Sequence, residues 1–346
     1  MATTLRDIAA RVGTSEATVS LVLNGRQYHR VSKAMRERIE RVARELDYRP
    51  NRQAQLLAGG RTMTVALLVN RLLNQFFAEY LSVIESKLSA RGFHAVPFET
   101  LSRADRAEEL LGMIDQRLCD AIIALEYTGD PEKARERREG FPLVVRAEQF
   151  GRRADSTGAA GTVFVDYEPA TRHLFETLRG SGARRIGLLS DTRHDLNLPA
   201  PQRSARAESQ RQILTELGLF SDPSQCVSLS QESDLGAWAR ATEALLTRDP
   251  AIDCLLVHNA TVTPAVLHQI AALGRRVGED IALATYDDPI SAKWLGNGLT
   301  VVREPIETVA EALVQKTLDR IDGNAESTDA RLEAELVVRG SSRLSR

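Results

Sequence analysis

Eleven lysines and arginines fall within the first sixty residues, Arg6 and Arg26 among them, against six acids (Asp7, Glu16, Glu37, Glu40, Glu45 and Asp47). That segment carries +5, the whole chain −2, and the remainder therefore −7. A basic head on an acidic body puts phosphate-binding chemistry on one small module. Between Ser15 and Asn24 the positions that a helix would turn outward hold Glu16, Ala17, Ser20 and Leu21. These side chains are small or short, which suits a helix lying close against base edges. Two readings stand for Glu16: acceptor for a cytosine amino group, or a carboxylate facing solvent near a helix N-terminus.

Short helices are needed to hold these groups in place. Thr4 is a helix cap, and Asp7, three residues on, is the acidic partner of a capping box. Leu5, Ile8, Ala9 and Val12 then share one face, and Gly13 supplies the left-handed residue that ends the helix. Ser15 caps the next helix, which turns Thr18, Val19 and Val22 inward. A third helix starts at Ser32, buries Met35, Ile39, Val42, Ala43 and Leu46, and ends before Pro50. A short segment from Asn51 to Leu57 runs on to Gly59-Gly60. Two helices about a glycine turn with a third packed on them present one helix to the major groove of DNA.

Thr4 through Gly25, Val31-Ser32 and Asp47 through Ala58 resemble the DNA-binding head of the lactose-repressor (LacI/GalR) family. The resemblance implies a homodimer on a near-palindromic double-stranded operator. Its candidate DNA contacts are Thr4, Arg6, Ser15, Glu16, Ala17, Thr18, Ser20, Leu21, Asn24 and Arg26, then Asn51, Ala54, Gln55 and Leu57 in a hinge helix. In the family that hinge orders on the correct operator, and a leucine matching Leu57 wedges into the minor groove at the operator centre. Such a wedge unstacks a flexible step at a cost of roughly a few kcal/mol and bends the duplex into both half-sites. Leu56-Leu57 also reads as a plain linker anchor, which suits Leu56 better. Leu21 stands where the family often has arginine, so a bidentate contact to guanine is absent and a thymine methyl group is the available partner.

Beyond Thr62 apolar runs alternate with helical stretches: Thr64–Val69, Ala95–Phe98, Ala121–Leu125, Leu143–Val145, Thr162–Val165, Ile186–Leu189, Cys254–Val257 and Ile281–Thr285. The pattern predicts parallel sheets flanked by helices, in two lobes, with the irregular Gly151–Gly161 stretch as the crossover. The expected domains are 1–50 (helix-turn-helix), 51–61 (hinge and linker) and 62–340 (two-lobed core). Asn74–Glu79, Gly182–Leu189, Glu279–Asp288, Leu299–Ile306 and Leu336–Arg339 resemble the core of the same family. The fold class implied is an all-α helix-turn-helix head plus an α/β two-lobed periplasmic-binding-protein-like core. In such cores a small effector sits between the lobes, at the carboxyl ends of strands.

The family positions for that effector fall on Phe76, Phe77, Arg206, Asn259 and Asp287. Each has a plainer reading where the residue type allows one: a surface helix arginine for Arg206, a turn carboxylate before Asp288-Pro289 for Asp287, core packing for Phe77. The chain also departs from the pattern. Ala260 replaces an acid, Ser209-Gln210 replaces a glycine-aromatic pair, and Gln75 stands where proline is common. The Ser190–Gln202 loop, with His194 and Asp195, is unusual enough to reshape the cleft.

Three cysteines, an odd and sparse count, fit a reducing cytoplasm, and two of them open apolar strands as buried thiols. The N-terminus has no apolar signal segment and no stretch approaches a membrane span, which argues against a secreted solute-binding protein. Six scattered histidines form no metal-ligand spacing, and no phosphate loop appears, so neither enzyme activity, metal nor cofactor is expected. The sequence therefore predicts a cytoplasmic homodimeric transcriptional regulator, a repressor answering to a small polar effector of sugar or sugar-derivative class bound between two lobes. The alternative is a regulator of the same fold that answers to a protein partner or acts constitutively.

Overall fold

Thr4 opens the first helix with a full capping box. Its hydroxyl accepts from the Asp7 N–H, and the Asp7 carboxylate accepts from the Thr4 N–H at 2.9 Å. Helix α1 (Leu5–Val12) ends at Gly13, where φ is 78° and ψ 40°. Ser15 accepts from the Thr18 N–H at 3.1 Å to start α2 (Glu16–Leu23), and Ser32 from that of Met35 to start α3 (Lys33–Glu45). Ile8, Ala9, Val12, Val19, Val22, Ile39, Val42 and Ala43 close the core between the three helices, with Leu5, Met35 and Leu46 at its margin. Ser20 and Leu21, outward on a helical wheel, are half-buried because the two-turn α2 packs against both α1 and α3.

The computed structural model describes residues 3–23, 31–48, 61–127, 129, 142–150, 153–154, 161–230, 233–324 and 329–344. It divides into two units, Met1–Thr62 and Met63–Arg346. Asn24, Arg26, Asn51, Ala54, Gln55 and Leu57 lie outside the described residues.

The larger unit holds two sheets. Its strands are β1 (Thr64–Val69), β2 (His94–Glu99), β3 (Ala121–Ala124), β4 (Leu143–Phe150), β5 (Arg153–Ala154) and β6 (Gly161–Asp166). They continue as β7 (Ile186–Asp191), β8 (Cys226–Leu229), β9 (Cys254–Val257), β10 (Ala282–Tyr286), β11 (Thr300–Arg303), β12 (Ala330–Glu333) and β13 (Glu335–Val337). The first sheet runs β12-β6-β4-β3-β1-β2 and the second β13-β11-β10-β9-β7-β8. All pairings are parallel except the short β5 on β4 and β13 on β11. Central strands such as Val65–Val69 and Cys254–Val257 are apolar throughout because helices cover both faces.

The chain passes between the sheets three times, and not at Gly151–Gly161. Strands β4 and β6 on either side of that stretch pair in one sheet, Val144 opposite Gly161. The crossings are short: Tyr167 leads from β6 into α6 (Glu168–Gly180), Glu304-Pro305 from β11 into α10 (Ile306–Ile321), and Ala334 joins β12 to β13. They run side by side, since the Ala334 N–H donates to the Asp166 carbonyl at 2.9 Å. No helix among the described residues is long and apolar enough to cross a membrane.

Candidate functional site

Strand order reverses beside β1 and beside β7, and each reversal opens a crevice at the carboxyl ends of a parallel sheet. The residues just past those ends converge. Asn70 follows β1, Glu126 and Tyr127 follow β3, Arg193 and His194 follow β7, His258 and Asn259 follow β9, and Asp287 follows β10. With Arg146 and Glu148 of β4, Phe76 and Phe77 of α4 (Gln75–Ser89) and Arg206 of α7 (Ala205–Glu216), they line a cavity of about 450 Å³. A second cavity of about 500 Å³, bounded by Gln75, Glu79, Ala260 and Ile306, shares Asn74, Phe76 and Asp287 with it.

All five effector candidates named from the sequence thus reach one cavity. Arg206 is 7% exposed, so it is no surface helix arginine. Its guanidinium donates to Glu148 at 2.8 Å across the cleft and lies 4.4 Å from the centre of the Tyr286 ring. Burial works against both charges, but Arg206 and Arg146 outweigh it and hold the Glu148 carboxyl well below its ordinary range. Arg206 is raised in turn, burial being outweighed by Glu148. Phe76 meets Phe77 and Tyr80 edge-on, and Phe77 also belongs to the core. The Asn259 side chain accepts from the Thr261 N–H at 3.0 Å, so it shapes the loop after β9 as well as lining the cavity.

Asp287 takes a left-handed backbone, φ 69°, which a non-glycine residue adopts only where its surroundings impose it. Burial pushes its carboxyl up to about 7, Arg206 opposing and Glu304 reinforcing. Gln210 donates to the Tyr286 hydroxyl at 2.6 Å, and Ser209 to Glu168 at 3.0 Å, so both polar side chains find partners within the protein.

Other groups carry no family signature. Arg146 grips Glu304 with two nitrogens, Nε at 2.9 Å, while the Tyr80 and Tyr167 hydroxyls donate to the same carboxylate. This cluster ties two of the three crossings to the first lobe. Arg193 pairs with Glu126 and with the fully buried Asp191, and the Thr261 hydroxyl donates to Asn74 across the cleft at 3.3 Å. His258 Nε2 lies 3.0 Å from Asp191, and His194 Nδ1 lies 2.8 Å from the Ser204 hydroxyl. Burial lowers both histidines, to about 4 for His258 and about 3 for His194, so both rings are neutral at pH 7. The signal for Arg146 and Glu148 lay in the polar residues that interrupt an apolar strand. Asp191, His258 and Glu304 are recognisable only once the strands are laid side by side.

In the smaller unit Thr4, Arg6, Ser15, Glu16 and Ala17 are exposed, and Thr18 is half-buried with its hydroxyl 2.9 Å from that of Ser15. The hydroxyls of Thr4 and Ser15 serve as caps, leaving Arg6, Glu16 and Ala17 as open positions on the first two helices. Among the described residues no group of three or more His, Cys, Asp or Glu is placed to hold a metal ion. The three cysteines are buried and free, and burial pushes the thiols of Cys119 and Cys226 up to about 11 and that of Cys254 higher still.

Residues 4–51 match the family described as bacterial regulatory proteins, lacI family, and residues 175–342 a periplasmic binding protein-like domain. The HTH-type transcriptional regulator CelR of Thermobifida fusca is 31% identical over 98% of both chains. The HTH-type transcriptional repressor CytR of Escherichia coli K12 is 23% identical over 99% of this chain and 97% of its own. Among solved structures, the lac repressor dimer bound to operator and an anti-inducer superposes with a TM-score of 0.81 over 99% of this chain and 100% of its own, at 22% identity. A CelR–cellobiose complex does so at 0.63 over 98% and 99%, at 28% identity.

Proposed function

The chain belongs to the lacI family of bacterial regulatory proteins, and from that premise we propose a sequence-specific DNA-binding repressor whose operator affinity is set by a small polar effector. The observation that carries this reading is the convergence of Arg206, Glu148, Asn259 and Asp287 with Phe76 on one cavity of about 450 Å³. Guanidinium and carboxylate together offer donors and acceptors to neighbouring hydroxyls, and an aromatic ring covers the apolar face of a sugar. The effector is of sugar class, and cellobiose, bound by the CelR relative, is the first probe to try. The protein works in the cytoplasm as a homodimer on a near-palindromic operator. Arg6 and Arg26 hold phosphates, α2 enters the major groove, and Leu57 wedges the centre open.

A second reading rests on the pairs that span the cleft, Arg206 with Glu148 and Arg193 with Glu126. Charges already matched by one another suit a regulator whose cleft no longer takes a small ligand. Melting curves with cellobiose, lactose and glucose separate the two. A ligand of the folded state raises the midpoint with concentration, the stabilisation reaching about 2.7 kcal/mol at a hundredfold excess over Kd. A matching release from operator DNA supports the effector reading. No shift with any sugar, sugar acid or purine favours the second.

A further inference from the structure

Behind the effector cavity lies a void of about 10 Å³, bounded by Arg206, His258, Gln210 and Tyr286 among leucines such as Leu188 and Leu196. That is the least space that holds one water molecule. Two of the residues that line it each carry a buried polar atom with no partner in the protein: Arg206 at Nε and His258 at Nδ1. Their characters are fixed. A guanidinium Nε carries hydrogen and can only donate. Asp191 is fully buried and already accepts from the Arg193 N–H at 2.8 Å and from Nη2 at 2.9 Å. As an ionised carboxylate it can only accept, so the hydrogen on the 3.0 Å contact sits on His258 Nε2. His258 Nδ1 is then a bare acceptor. The ring cannot turn over without losing Asp191, and Trp238 stacks along it at an interplanar angle of 11°.

We propose that one buried water occupies this void, accepting from Arg206 Nε–H and donating to His258 Nδ1. An orphaned donor and an orphaned acceptor beside one water-sized space are what a single hydroxyl oxygen satisfies, and native interiors rarely leave such pairs unmet. The water completes a chain from Asp191 through His258 to Arg206. His258 thereby becomes a positioning residue: with Glu148 on Nη2 and water on Nε, the guanidinium is held in one orientation from both sides. The water site stands on this geometry, and its bearing on effector affinity rests on the function proposed above.

A crystal structure of the full chain with ordered solvent tests the site. A peak within hydrogen-bond distance of both Arg206 Nε and His258 Nδ1 is expected, lost in His258→Leu and kept in His258→Gln, which retains an acceptor. An empty void, or one filled by a rotated Gln210 amide, overturns it. Long-range proton–nitrogen spectra of the histidine-labelled wild type need no variant: hydrogen on Nε2 at pH 7 is expected, and hydrogen on Nδ1 or on both overturns the proposal. With cellobiose as probe, His258→Leu should bind roughly tenfold more weakly than His258→Gln, which keeps an acceptor for the water. Failure of the wild type to bind any sugar would sink the effector reading and leave the solvent peak to decide this one.

Discussion

Arg206 and Glu148 meet from opposite lobes at 2.8 Å, so a ligand entering the cleft exchanges hydrogen-bond partners with a matched pair. Arg206→Ala is expected to abolish sugar-induced release while operator affinity without sugar stays within about twofold. Fluorescence anisotropy on labelled operator, with and without cellobiose, checks this; a variant still released removes Arg206 from the site. The histidines set a second expectation. Their ordinary value is 6.5, and burial lowers them to about 4 for His258 and about 3 for His194. Folded values below the unfolded one favour the neutral form, so their contribution is intact above 6.5 and drains away as pH falls through 4. Asp287, raised to about 7, titrates in the same window with the opposite sign, gaining stability on acidification. The difference between wild type and His258→Gln cancels that term. The wild type should lose a few degrees more of melting temperature between pH 7 and pH 4.5 than the variant does. Five cavity residues were legible in the sequence because they match family positions. Asp191, His258 and Glu304 were not, because their meaning comes from partners 67, 67 and 158 positions away.

Helix α1 shows how locally a fold is specified: the Thr4–Asp7 box and the left-handed Gly13 can both be read from the ten residues Thr4 to Gly13. Thr4→Ala should cost about 1 kcal/mol of head stability and Gly13→Ala about 1–2 kcal/mol, measured by denaturant unfolding of residues 1–60. Equal and negligible losses would mean that tertiary packing alone holds the helix. Strands were legible where they are long and apolar, as in β1 and β9. The apolar run ends at Val145 because Arg146 and Glu148 interrupt it, yet β4 continues through both, which pair with Glu304 and Arg206. The short β8, β11 and β13, with polar residues among three or four positions, carry too little periodicity to stand out. The crossings escape the sequence pattern for a related reason. Glycine-rich Gly151–Gly161 looks like a linker, whereas the true links are Tyr167, Glu304-Pro305 and Ala334, too short to mark the composition.

Across the whole chain, charge divides by module, +5 in the first sixty residues and −7 in the rest. Residues 1–60 alone should bind duplex DNA weakly, with the logarithm of the affinity falling linearly against that of salt, by about 0.9 per phosphate neutralised. A flat response in a salt titration would remove the phosphate assignment. The acidic core disfavours wrapping of DNA around it and leaves binding to the head. The three adjacent crossings have a further consequence. Neither lobe is a continuous stretch of chain: the first borrows β12 and α10 from far downstream, and the second cannot close its edge without β13. A protease that nicks one crossing leaves the halves fastened by two others, and a fragment stopping at Arg303 loses the helix that covers β3, β4 and β6. Premature termination before Ile306 should therefore yield an unfolded product and not a working half, so the core is complete only once α10, β12 and β13 have all been made.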